Sequence, residues 1–214
     1  MIARILPGMT AQDRAGIALA GCAVFALIAF GLRATLHYRR TGTTGFVGLS
    51  GRFGSAEWLG GALFVVALAA AVGAPLLQLA GCVAPLSALR AGWVPIAGLA
   101  LYVVGLVATL WAQLAMGTSW RVGVDPDART ALIRTGPFRW VRNPIYTAMT
   151  VAMLGLALLA PNVVSWLALA TLVAGLEIHV RLVEEPYLAR THGEHYRRYA
   201  ARTGRFLPAI GRGA

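Results

Sequence analysis

Five apolar runs, each long enough or nearly so to cross a lipid bilayer as a helix, constrain this chain more than any other feature. A hydrocarbon core about 30 Å thick takes roughly 20 residues of helix. The runs cover approximately Ala15–Leu32, Trp58–Leu79, Trp93–Met116, Pro144–Ala160 and Val163–Val183. Composition agrees: of 214 residues, 58% are hydrophobic and only 13% charged, with a mean hydropathy of +0.68, well outside soluble usage. The expected fold is all-α, an integral membrane bundle of about five transmembrane helices forming one domain over residues 1–214. Residues 1–116 supply an N-terminal three-helix part. Residues 117–208 supply a connector, a helical hairpin and an amphipathic tail.

Charge sets the orientation. The chain has no lysine, so its nineteen basic residues are all arginine, and its net charge is +11. Such a charge can signal nucleic acid, but here the arginines gather between the apolar runs, as in a membrane protein. Sixteen of them fall in the link after the first run, the connection after the third and the tail. Only Arg4, Arg14 and Arg90 belong to the opposite side. The positive-inside rule then puts the arginine-rich side and the C-terminus in the cytoplasm and the N-terminus outside. Cys22 and Cys82 each close an LAGC tetrapeptide in apolar surroundings and read as membrane-helix residues, without a disulfide framework or a cleaved signal.

Within this frame two stretches carry ionisable chemistry. The first, Thr135 to Tyr146 (TGPFRWVRNPIY), ends in Asn143-Pro144, which reads as a helix start with Asn as N-cap and Pro at the first helical position. Arg134, Arg139 and Arg142 lie in or beside it, with Phe138, Trp140 and Tyr146. The second lies on the fifth run: Glu177, Arg181 and Glu184 follow at i, i+4 and i+7, with Glu185 alongside, and should share one helix face. Asp125-Pro126-Asp127 and Arg129 punctuate the long connection before the first stretch.

Pro161-Asn162 leaves a very short turn between the fourth and fifth runs, predicting a tight antiparallel hairpin. That brings the start of the fourth helix beside the end of the fifth. Helix-start N–H groups can take an anion, the carboxylates an ammonium and the aromatics a cation. The mouth suits a zwitterionic ligand with an extra positive centre. His179 reads as a packing or headgroup-facing residue. His192, Glu194 and His195 lack the further ligands a metal would need, so no metal is expected.

From about residue 117 to 208 the chain resembles the isoprenylcysteine carboxyl methyltransferase and phospholipid methyltransferase group of integral membrane enzymes. Gly136, Pro137, Phe138, Arg142, Pro144 and Tyr146 match its G-P-Y/F-x-x-x-R-H-P-x-Y segment. Glu184-Glu185 match its Glu pair, Gly193, Tyr196 and Tyr199 its F-G-x-x-Y-x-x-Y segment, and Phe206 with Pro208 its final aromatic-x-Pro. Two positions depart: Asn143 stands where the family has His, and His192 where it has Phe.

The resemblance implies an S-adenosyl-L-methionine-dependent methyltransferase acting on a lipidic or small hydrophobic acceptor (carboxylate, amine or thiol) that enters from lipid. Gly136, Pro137, Asn143, Tyr146, Glu184 and Glu185 are the implied cofactor-binding residues. Arg142 and Arg181 are the implied catalytic pair, able to hold an anionic acceptor. Two other readings remain open. An NADPH-dependent sterol-type reductase has a related C-terminal motif, but with a Glu soon after the Tyr, where this chain has Thr147-Ala148-Met149. A non-catalytic transporter or assembly protein would place polar groups near the midplane of repeated or broken helices, and no repeat is visible here.

Overall fold

A computed structural model describes residues 8–122 and 131–213. Arg4, Asp125-Pro126-Asp127 and Arg129 lie outside the described residues. Six helices dominate: α1 (Ala11–Thr41), α2 (Ala56–Leu79), α3 (Val94–Ala115), α4 (Pro144–Leu159), α5 (Val163–His192) and α6 (Glu194–Arg202). The first three and α5 are long and apolar enough to cross a membrane, and α4 is a shorter apolar helix of 16 residues. The chain is therefore an all-α integral membrane bundle.

The first helix outruns its predicted end. Arg33 does not stop it; a π-helical stretch, Ala26–Leu32, carries the chain on to Thr41. Arg33 is buried inside the bundle, where it donates to the carbonyls of Gln113 (3.4 Å) and Gly117 (2.5 Å) and lies over the Trp120 ring. Helix-end carbonyls and an aromatic face replace water for this cation.

The expected hairpin is not a packed unit. Helix α4 packs chiefly on α3 and α5 on α2, while α4 and α5 touch each other far less. Glycines decide this pairing. A Cβ on Gly105 of α3 would strike the Ala152 and Ala148 backbone of α4, and one on Gly155 would strike Tyr102 and Gly98. Gly60 of α2 and Gly175 of α5 make the equivalent approach, each lying against the other's carbonyl. With lipid tails as apolar as leucine, such close backbone packing is what holds membrane helices together. The connecting turn is short as expected, fixed by Asn162, which accepts from Ser165 N at 3.0 Å and donates to Ala74 O and Gln78 Oε1.

Pro75 lies inside α2, where its missing N–H leaves Ala71 O without a helical donor. The Cys22 thiol of α1 donates to that carbonyl at 3.4 Å. Cys22 is thus a helix residue as read, whereas Cys82 is exposed in the connection after α2.

Candidate active site

The site is built where the starts of α2 and α4, the end of α5 and the C-terminal segment meet. Pro144 opens α4 as expected, but Asn143 is not its side-chain cap: the Asn143 amide instead donates to Arg205 O at 3.1 Å. Its backbone N–H makes a second bond to the same carbonyl at 3.1 Å, and Arg142 N donates to Gly204 O at 2.8 Å. Thr147 Oγ1 donates to Phe206 O at 2.7 Å. Four bonds thus stitch residues 204–206 along the mouth of α4. A Cβ on Gly204 would collide with Leu207 O, so only glycine permits that fold-back.

Arg142, 7% exposed, is the keystone. Its Nη2 and Nε donate to Glu185 Oε1 at 2.5 and 3.2 Å, its Nη1 to the Thr203 and Ala200 carbonyls at 2.5 and 3.1 Å, and its Nη2 also to Gly211 O at 3.1 Å. Arg205 completes a two-sided clamp, donating to both oxygens of Glu185 at 2.7–2.8 Å. The clamp raises the pKa of Arg205, chiefly through its hydrogen bonds to Glu185. Beneath it, Tyr199 OH donates to Phe138 O at 2.6 Å, tying α6 to the short 3₁₀ turn Gly136–Arg139. Burial raises the pKa of Tyr199 and, with the Glu185 charge adding to it, pushes that of Tyr196 up to about 12. Both tyrosines are buried members of this joint.

The acidic stripe expected on one face of α5 is split. Glu177 and Arg181 form an ion pair on the exposed flank, with side chains 36% and 55% accessible. Glu184 and Glu185 turn inward, at 26% and 11%. The cause is the π-helical stretch Val180–Glu184, whose wider turn shifts the helical phase of the residues beyond it. It also carries the helix on through Pro186. Glu184 Oε1 accepts from Tyr146 OH at 2.8 Å and lies 3.6 Å from His179 Nε2.

Of the residues singled out from sequence, Arg142, Asn143, Tyr146, Glu184 and Glu185 meet at this mouth, Gly136 and Pro137 lie in the 3₁₀ turn tied to α6, and Arg181 stands apart beside Glu177. Sequence reasoning missed Arg205 and His179. Arg205 directly precedes the Phe206-x-Pro208 element, which was the available signal. His179 became visible only through its contacts. Among the described residues no group of three His, Cys, Asp or Glu could hold a metal ion.

No curated protein matches the chain significantly. Residues 93–195 match the family model described as phospholipid methyltransferase, a segment running from the foot of α3 into α6 and including Arg142, Tyr146 and the Glu184-Glu185 pair. Over those residues the chain is similar to the phospholipid methyltransferase family of integral membrane methyltransferases.

Proposed function

We propose that the protein transfers a methyl group from S-adenosyl-L-methionine to a lipidic or small hydrophobic acceptor, at a mouth on the cytoplasmic face of the membrane. The observation carrying this reading is the unequal fate of the two adjacent carboxylates. Glu185 has both oxygens committed to Arg142 and Arg205. Glu184 is partly exposed, bonds through Oε1 alone, and its Oε2 has no hydrogen bond among the described residues. A half-open carboxylate beside a tyrosine fits the α-ammonium of the cofactor, so the residues present suit such a group.

When bound, S-adenosyl-L-methionine supplies a methyl on a sulfonium, open to in-line attack. The protein's task is then alignment. Glu184 and Tyr146 hold the ammonium end, with Gly136, Pro137 and Asn143 as further cofactor-binding residues. Arg142 is a positioning residue that locks the C-terminal segment over the site. Arg181, exposed at the rim, is placed to meet an anionic headgroup.

Calorimetric titration of the detergent-solubilised protein with S-adenosylhomocysteine tests the reading. Saturable binding is expected, weakened about tenfold or more in Glu184→Gln, with no heat from NADPH. Heat from NADPH and none from S-adenosylhomocysteine would replace methyl transfer with reduction.

A further inference from the structure

His179 has no part in the roles above. Its side chain is 12% exposed, and Nε2 faces Glu184 Oε1, the oxygen that also accepts from Tyr146. Nδ1 is buried without a hydrogen-bond partner. With Nε2 turned toward the carboxylate, the tautomer protonated on Nε2 leaves Nδ1 with a bare lone pair. The ring stands edge-on to Tyr146, with centroids 6.5 Å apart. Helix α2 presses on its other side, where a Cβ on Gly60 would lie 3.0 Å from that of His179. The groups facing the imidazole are Glu184 on its own helix, Tyr146 on α4 and Glu57 on α2. Glu177 and Arg181 satisfy each other on the outer flank.

A second observation lies deeper. An apolar cavity of about 160 Å³ opens between α1, α2, α4 and α5, lined by Phe25, Leu68, Met149, Met153 and Leu172 among others. Met149 and Met153 stand three and seven residues after Tyr146, and Leu172 seven before His179. By helical periodicity they occupy the same faces as Tyr146 and His179, up to about 10 Å further along. Met149 and Leu172 are its lining residues nearest along the chain to Tyr146 and His179, about one and two helical turns away.

We propose that His179 is the proton acceptor in methyl transfer, serving an acceptor whose apolar body fills this cavity and whose reacting atom arrives carrying a proton. The proposal rests on the methyltransferase reading. The acceptor's proton passes to Nδ1, and the freed lone pair forms the bond to the methyl carbon. The carbon–sulfur bond breaks with its electron pair on sulfur, leaving a neutral thioether. The imidazolium, stabilised by Glu184 across the ring, then returns its proton to solvent. Glu184 and Glu57 disfavour a carboxylate at this position and favour an ammonium or a neutral X–H group.

The test uses the full chain in nanodiscs with labelled S-adenosyl-L-methionine and two probes, hexadecylamine and palmitate. In His179→Gln, S-adenosylhomocysteine affinity should stay within about threefold. Hexadecylamine methylation should fall about 100-fold at neutral pH, the loss shrinking as pH rises and the amine sheds its proton unaided. Methylation by the variant at the wild-type rate with an unchanged pH profile overturns the proposal, and so does a wild type that methylates palmitate but not hexadecylamine. Nitrogen NMR of the four histidines decides the tautomer whichever probe reacts. Nε2–H with a bare Nδ1 is expected, shifting toward Nδ1–H in Glu184→Gln; Nδ1–H in the wild type overturns it. Failure of the wild type to bind S-adenosylhomocysteine is a separate result and removes the methyltransferase reading together with the proposal.

Discussion

Arg142 has a carboxylate and four carbonyls within hydrogen-bond reach of a side chain only 3% exposed. Only a planar fork can serve partners in so many directions; an ammonium is a point charge on a flexible stem. Arg142→Lys should therefore cost about 3 kcal/mol, the penalty of leaving a buried ion pair half-made. Thermal unfolding would measure it, and protease cleavage beyond residue 200 should accelerate in parallel. Tyr199→Phe removes one buried hydrogen bond to Phe138 O and should cost about 1 kcal/mol. The Arg and the two Glu were legible in the motif. Which carboxylate would be committed and which left half-open was not, because that depends on Arg205 folding back from the tail.

At the scale of elements, close glycine contacts and π-helical stretches decide what faces what. Gly105→Val should cost roughly 3 kcal/mol, since its Cβ meets backbone rather than a movable side chain. Gly73→Ala, with nothing near its Cβ, should be neutral or slightly stabilising; thermal melts of the pair give the contrast. Helix spans were largely readable, since a run of apolar residues has few alternatives in lipid. The partners of each span were not. A two-residue turn implies a hairpin, yet Gly98, Gly105 and Gly155 draw α4 onto α3 instead. Likewise, periodicity assumes 3.6 residues per turn, and the π-helical stretch at Val180–Glu184 breaks that assumption where the carboxylates sit.

For the whole molecule, two predictions concern orientation and pH. Cys82 is exposed between α2 and α3, at the end of the bundle opposite the arginine-rich mouth, and Cys22 is buried. If the mouth faces the cytoplasm, a membrane-impermeant maleimide should label Cys82 in intact cells and spare Cys22. Labelling only after lysis would invert the topology. The joint between α6 and the mouth should also be alkali-sensitive. Tyr196 holds its proton more tightly when folded, at about 12 against an ordinary 10. Its contribution is therefore full below pH 10 and lost as pH climbs through 12. Protection of the tail from proteolysis, measured against pH, should decline across that window.

By itself, the sequence determined that this chain lives in a membrane as an all-α bundle, and where its charged mouth begins. Apolar run length and arginine placement are local properties that lipid enforces directly. Tertiary structure alone decided that Arg33 would be buried, that Glu177 and Glu184 would part company, and that His179 would hold an unpartnered nitrogen behind Glu184. Those outcomes depend on helices meeting at glycine contacts and on residues 204–206 returning across some sixty positions to bond the mouth of α4. No local pattern encodes such meetings; they exist only once the helices are packed.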